Sequence, residues 1–163
     1  MRRPFPAYLV LALLAAPSMA PAAGDGAHKP PYWASIGVGQ ARMRTGPART
    51  YPASWLYRRA DLPVRVVATF KEWRKVEDPD GTQGWMQGNL LRDTRTAVVR
   101  STASIAMLDR PAAGATLRWR AAPGVVGRVT QCGNGWCRLD VNGQAGFVET
   151  AGLWGVDPTE TLP

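Results

Sequence analysis

Short stretches of alternating apolar and polar residues, separated by turns rich in glycine and proline, fill most of the chain after residue 35. In the stretch 64–69 (VRVVAT) the alternation gives a β-strand with one apolar face. The same pattern predicts strands at 36–44, 55–57, 64–69, 73–77 and 83–87, and again at 104–108, 117–119, 125–129, 136–141 and 145–148. The 17 glycines and 14 prolines argue against long helices, so we predict an all-β protein.

A repeat organises these strands into two units. The segment 80–85 (DGTQGW) returns as 142–147 (NGQAGF), and each copy combines a turn dipeptide, a second glycine and an aromatic residue. Such segments predict two β-hairpins of one design. In the alignment of the units, Leu117 and Trp119 take the places of Trp55 and Tyr57. Two units of about 60 residues with about five short strands each predict two tandem small barrels, because closure removes exposed sheet edges.

The N-terminus has the features of a secretory signal peptide. Two arginines at positions 2 and 3 precede an apolar stretch at 8–16, which is too short to span about 30 Å of hydrocarbon. Small residues follow, and we expect cleavage after Ala20, Ala22 or Ala23. The chain is therefore expected to be periplasmic or secreted, with a signal peptide (1–23), a linker (24–34), a first barrel (35–92), a second barrel (93–156) and a tail (157–163).

Basic residues outnumber acidic residues by 20 to 12, which gives a net charge of +8. Loss of the two arginines with the signal peptide leaves 18 basic residues against 12 acidic ones, or +6. A positive balance attracts polyanions. Export argues against nucleic acid as the partner and leaves wall polymers, lipopolysaccharide and phospholipid headgroups. Because no block of five like charges occurs, solvated charged faces are the simpler interpretation.

The two cysteines, Cys132 and Cys137, flank a turn-like GNGW sequence between two alternating runs. Cysteines on opposite arms of a tight hairpin can approach closely enough to bond, and an exported chain meets oxidising conditions. We therefore predict a disulfide. A metal site is not expected, because two cysteines with no nearby histidine cannot supply four ligands.

Five short motifs in a fixed order resemble the bacterial SH3-like domain family. They are MRTGP at 43–47, a basic turn and apolar strand at 58–66, W-x-K-V at 73–76, D-G at 80–81 and G-W at 84–85. The second unit resembles the family more loosely, with LDRP at 108–111 and Phe147 in place of the second tryptophan. The resemblance implies tandem SH3-like barrels of exported bacterial proteins, some of which help cell-wall hydrolases to bind peptidoglycan.

No motif typical of catalysis accompanies this resemblance. The only histidine, His28, lies in the predicted linker, and no nucleophile–base pair, Walker-type loop or H-E-x-x-H motif occurs. We therefore expect no enzymatic activity, no cofactor and no metal ion.

Aromatic and basic residues near the barrel loops are the candidates for ligand binding, because aromatic faces stack on sugar rings and arginines meet carboxylates or phosphates. These candidates are Tyr51, Trp55, Arg58, Arg59, Trp73 and Trp136. Core positions are expected for Tyr57, Trp85, Trp119 and Phe147, whose neighbours alternate between polar and apolar. Arg44 is expected to fix the loop backbone rather than to bind a ligand.

These features predict a monomeric, non-catalytic, exported binding module that recognises cell-envelope material, namely peptidoglycan, or an envelope protein. Two alternatives stay open. One is a periplasmic scaffold for protein–protein interactions, in which the two barrels pack together. The other is an accessory or inhibitory protein for a wall hydrolase. An exposed apolar patch between the units would favour the scaffold.

Overall fold

The computed structural model describes residues 28–163, whose regular secondary structure is β-strand apart from two short 3₁₀ turns. Fourteen strands form two antiparallel sheets of seven strands, one sheet for each unit of the repeat. The all-β prediction and the tandem organisation are thereby confirmed. The predicted signal peptide and its cleavage positions lie outside the described residues.

The first sheet contains the strands between residues 32 and 92. They are β1 (Tyr32–Ile36), β2 (Ala41–Arg44), β3 (Ala53–Tyr57), β4 (Pro63–Phe70), β5 (Trp73–Glu77), β6 (Gln83–Gln87) and β7 (Leu91–Arg92). A 3₁₀ turn, Gly88–Leu90, separates β6 from β7. Across the sheet the order is β3-β2-β6-β5-β4-β1-β7.

The second sheet repeats this arrangement between residues 96 and 154. Its strands are β8 (Thr96–Val99), β9 (Ile105–Leu108), β10 (Leu117–Ala121), β11 (Val126–Gly133), β12 (Trp136–Val141), β13 (Gln144–Glu149) and β14 (Leu153–Trp154). A 3₁₀ turn, Thr150–Gly152, separates β13 from β14. The order β10-β9-β13-β12-β11-β8-β14 equals that of the first sheet when each strand is replaced by its repeat equivalent.

Each unit has seven strands rather than about five. The additional strands are β1 and β8 at the start of the units and the two-residue strands β7 and β14 at the end. β1 begins at Tyr32, inside the segment predicted to be a linker, and it pairs with β4. The last three residues of β1 and all four of β8 are buried, so these interior strands lack the alternation that marks a half-buried strand.

Each unit encloses its own apolar core, and in both a fully buried methionine lies beneath a glycine of the repeated hairpin motif. A Cβ atom on Gly84 would come within 2.5 Å of Met43 Cγ. A Cβ atom on Gly146 would come within 2.8 Å of Met107 Cβ. The repeated glycine therefore lets β6 and β13 approach the methionine-bearing strands β2 and β9 closely.

The strand pairings show that β3 and β10 correspond with an offset of two residues from the alignment expected from the sequence. Trp55 and Trp119 each pair with the buried methionine of their own unit, so these two tryptophans are equivalent. Tyr57 corresponds to Ala121 instead. Since a shift of two residues keeps each side chain on the same face of a strand, the apolar pattern alone does not detect it.

The predicted disulfide between Cys132 and Cys137 is confirmed, with their Cα atoms 4.1 Å apart. The two cysteines are register partners on β11 and β12, and both are buried. The segment predicted to be a C-terminal tail folds back onto this hairpin. The backbone N–H and C=O of Leu162 pair with those of Cys132 at 3.0 and 3.1 Å, and Glu160 forms an ion pair with Arg95.

The two units pack against each other through an aromatic contact. Trp33 on β1 meets Trp154 on β14 edge-on, with ring centroids 4.8 Å apart, and its indole N–H donates to Asp157 at 3.2 Å. Gly155 follows Trp154 with a φ of 117°, which L side chains rarely adopt. A Cβ atom there would collide with the carbonyl oxygen of Thr96 and would come close to the first unit. The junction therefore requires glycine at this position.

We expect Gly155→Ala to destabilise the protein by at least about 2 kcal/mol, because it adds a steric collision to an unfavourable φ. Gly114→Ala is the matched control, since Gly114 also has a positive φ (77°) but its Cβ atom would meet nothing within 4 Å. That control should cost only about 1 kcal/mol. Urea unfolding of the two variants measures the difference, and equal costs would show that the junction tolerates a side chain.

Candidate functional site

A cleft of about 810 Å³ lies between the two units. The first unit contributes the end of β3 and the tip of the β5–β6 hairpin, and the second contributes β8, the loop that follows it and the turn before β11. The lining residues are Trp55, Tyr57, Leu62, Asp78, Pro79, Asp80 and Thr82 on one wall and Val98, Val99, Arg100, Ser101, Thr102, Pro123 and Gly124 on the other.

Trp55 supplies an aromatic surface to this cleft. It lies on β3, the outermost strand of the first sheet, and 57% of its surface is exposed. Tyr57, two residues later on the same strand, is buried at 7% exposure. The strand therefore passes from the solvent-exposed rim of the unit into its core within one alternation, which leaves the tryptophan available for stacking.

A hydrogen-bond network among residues of the first wall holds the hairpin tip in place. The Tyr57 hydroxyl donates to Asp78 Oδ2 at 2.7 Å. Asp78 Oδ1 accepts from the backbone N–H groups of Asp80 and Thr82 at 3.0 and 2.8 Å. Burial, and then the hydrogen bond to Asp78, raise the pKa of Tyr57 above its usual range. The phenol therefore stays neutral and keeps its donor role.

Two polar contacts connect the walls of the cleft. The guanidinium of Arg100 lies 2.6 Å from Asp80 Oδ1 at the hairpin tip. Arg59 donates to the carbonyl oxygen of Gly124 at 3.1 Å. Both contacts are exposed to solvent, so they contribute little to stability. They do place charged groups of both signs within the cleft.

The structure brings some of the predicted site residues together and separates others. Trp55 lines the cleft and Arg59 contacts one of its residues, while Arg58 is exposed beside Arg59. Tyr51 is exposed at 46% and lies two residues before β3. Arg44 donates to the carbonyl oxygen of Tyr51 at 2.7 Å, which confirms that its guanidinium fixes the loop backbone.

Trp73 and Trp136 do not line the cleft. Trp73 lies on β5, between β4 and β6, and is only 4% exposed. Its ring face is therefore not available for stacking, and the prediction that Trp73 binds a ligand is wrong. Trp136 takes the equivalent position on β12 and is partly buried. It borders a separate groove of about 260 Å³ in the second unit, together with Ile105 and Leu108.

The four aromatic residues expected in the core differ in their burial. Tyr57 is buried, as predicted, and Trp85 and Phe147 are partly buried. Trp119 is 41% exposed, so the expected core position is wrong. It lies on β10, the outermost strand of its sheet, where it corresponds to the exposed Trp55.

The sequence-based candidates did not include Asp78, Asp80 and Arg100, the three charged residues that line the cleft. Asp78 precedes a Pro-Asp-Gly turn, where aspartate commonly accepts hydrogen bonds from the backbone two residues on, so a local signal existed. Arg100 had no such signal, because its partner Asp80 belongs to the other unit.

Within residues 28–163, no group of three or more histidine, cysteine, aspartate or glutamate side chains is placed to hold a metal ion. The same part of the chain contains no helix with the length and apolar character needed to cross a membrane.

Most of each sheet, from β2 to β7 and from β9 to β14, coincides with a known domain. A family model described as the bacterial SH3 domain matches the chain twice, over residues 37–93 and 101–155. The chain belongs to the bacterial SH3 domain family. No curated protein sequence matches this SH3 tandem.

Solved structures similar to the SH3 tandem include NlpC2 and NlpC1 from Trichomonas vaginalis and an NlpC/P60 family protein from Bacillus cereus ATCC 10987. Their sequence identities are 11%, 10% and 15%, with TM-scores of 0.35, 0.35 and 0.34. The matches cover 80%, 77% and 81% of this chain and 52%, 46% and 59% of those chains. The SH3 tandem thus spans about half the length of these proteins.

The raised pKa of Tyr57 predicts its behaviour in alkali. Because the folded state favours the neutral phenol, the stabilisation is present below the unfolded pKa of about 10 and is lost as the pH rises above it. In a spectrophotometric titration, we expect the Tyr57 phenolate to appear only together with unfolding. Tyr57→Phe should remove that step and leave the signals of the other tyrosines. A Tyr57 that ionises while the fold is intact would contradict the network.

Proposed function

We propose that the SH3 tandem is an exported, non-catalytic binding module that recognises peptidoglycan in the cleft between its two units. The observation that carries the proposal is the exposed face of Trp55 in a cleft that also presents Asp80 and Arg100. An aromatic face can stack on a sugar ring or an apolar peptide group, and a few charged groups then fix the orientation of the ligand.

Residues around the cleft extend this surface. Arg58 and Arg59 lie exposed directly after β3, where they would meet the carboxylates of a wall peptide. Tyr51 offers a second exposed aromatic ring on the loop before the same strand. A cleft of about 810 Å³ suits one short saccharide or peptide unit of the polymer rather than a whole strand.

The apolar part of the same cleft supports a second candidate function. Leu62, Val98 and Pro123 line it beside Trp55, as expected of a surface that receives a protein partner. In that case the tandem would act as a periplasmic scaffold or as an accessory or inhibitory protein for a wall hydrolase.

Sedimentation with purified peptidoglycan tests the first proposal directly. The chain comprising residues 24–163 should sediment with the polymer at low and at high salt, because stacking is less sensitive to ionic strength than charge attraction. Trp55→Ala should weaken binding about fivefold or more, since it removes the stacking surface. Trp119→Ala is the matched control, because Trp119 occupies the equivalent position of the second unit but does not line the cleft.

The outcomes separate the candidates. If binding vanishes at high salt, the attraction comes from the net charge of +6, and aromatic recognition is contradicted. Equal loss in the Trp55 and Trp119 variants would place the contact outside the cleft. A protein that stays in solution at every salt concentration would favour the protein-partner function, which cross-linking in the periplasm would then test.

A further inference from the structure

One difference between the two units lies beside the β4–β5 hairpin of the first and the β11–β12 hairpin of the second. In the second unit the C-terminal segment covers this place. Leu162 forms two backbone hydrogen bonds with Cys132, which extends the pairing along β11 past the first residue of β8. Glu160 is held by Arg95, and these two side chains are only 11% and 21% exposed. An extended acidic segment is thus bound there by backbone pairing and one ion pair.

In the first unit, nothing within residues 28–163 pairs with the equivalent edge position of β4. Thr69 has the register position of Cys132, since it pairs with Arg74 as Cys132 pairs with Cys137. β1 covers the edge of β4 only as far as Val66, and no strand within residues 28–163 continues along that edge to Thr69. Thr69 is exposed, whereas Cys132 is buried at 4% exposure.

A groove of about 380 Å³ lies at this edge position, and we call it the Thr69 groove. Its lining includes His28, Thr69, Lys71, Arg74, Arg92 and Asp93. Three of these side chains carry positive charge, and Asp93 is the one carboxylate among the lining residues. The groove is therefore suited to an anion.

The cations of the Thr69 groove are positioned in different ways. Arg74 donates to the carbonyl oxygens of Lys71 and Trp73 at 2.9 and 3.2 Å, so its charge has a fixed place. The ammonium of Lys71 lies 5.6 Å from the ring centroid of Phe70. Arg92 pairs with Asp61 at 3.3 Å, but both side chains are about half exposed, so this ion pair is weak. A ligand carboxylate can compete for it.

We propose that the Thr69 groove binds an extended acidic peptide segment of another protein. The peptide would add to the edge of β4 by backbone hydrogen bonds to Thr69, as Leu162 adds to Cys132 in the second unit. A carboxylate of the peptide would pair with Lys71 or Arg92, as Glu160 pairs with Arg95. This site lies outside the cleft, so the proposal is independent of peptidoglycan binding.

A nuclear magnetic resonance titration of ¹⁵N-labelled protein, residues 24–163, tests this proposal. The probe is a synthetic peptide of the sequence DPTETLP, which copies the chain's own residues 157–163. We expect the amide signals of Thr69 and its neighbours to shift. The peptide DPTQTLP, in which glutamine replaces glutamate, should bind about tenfold more weakly because it lacks the pairing carboxylate.

A matched pair of variants distinguishes the groove from general charge attraction. Lys71→Ala with Arg92→Ala should weaken binding of DPTETLP about tenfold or more. Arg118→Ala with Arg120→Ala removes the same charge from exposed positions of β10 and should leave binding unchanged. A normal spectrum of the free variants shows that they fold.

Several results would overturn the proposal. They are shifts confined to Cys132 and Leu162, equal affinity for the two peptides, equal weakening in both double variants, or no shift at Thr69 at millimolar peptide. Shifts of the Thr69 amide with protein concentration alone would assign the groove to a second copy of this chain and would also overturn it.

Discussion

The packing of the two units against each other is the constraint on which the candidate site depends. Trp33 and Trp154 meet edge-on, Asp157 accepts from the indole of Trp33, and Gly155 lets the chain pass where no side chain fits. Each sheet has its own core and does not need the other to bury its apolar face. The cleft, however, has one wall from each unit, so its shape depends on this contact.

The organisation of the chain could be predicted from the sequence because it depends on local rules. Alternation marks half-buried strands, and the D-G and N-G turns mark hairpins. The glycine before each motif aromatic is explained by the methionine beneath it. β1 and β8 are not predicted as strands from their pattern, because interior strands that are buried over three or four consecutive residues do not alternate.

The candidate site was only partly predictable. Trp55 and Arg59 were found because aromatic and basic residues near loops suit ligand binding. Trp73 was misplaced, since a tryptophan beside a short loop can equally well pack inward. The exposure of Trp119 was missed because the two units align equally well with a shift of two residues. The role of Arg100 could not be predicted from the sequence, because its partner Asp80 belongs to the other unit.

The cleft links the docking of the two units to the binding of any molecule that contacts both of its walls. Its walls belong to different units, so it exists in this form only while the units are docked. A molecule that contacts both walls must favour the docked arrangement over any separated one, by an amount that grows with its concentration relative to its dissociation constant. Conversely, any change that weakens the contact between Trp33 and Trp154 lowers the affinity of that molecule in proportion to the fraction of protein in which the units are no longer docked. Binding of such a molecule would therefore depend on the tryptophan pair even though the molecule makes no contact with it.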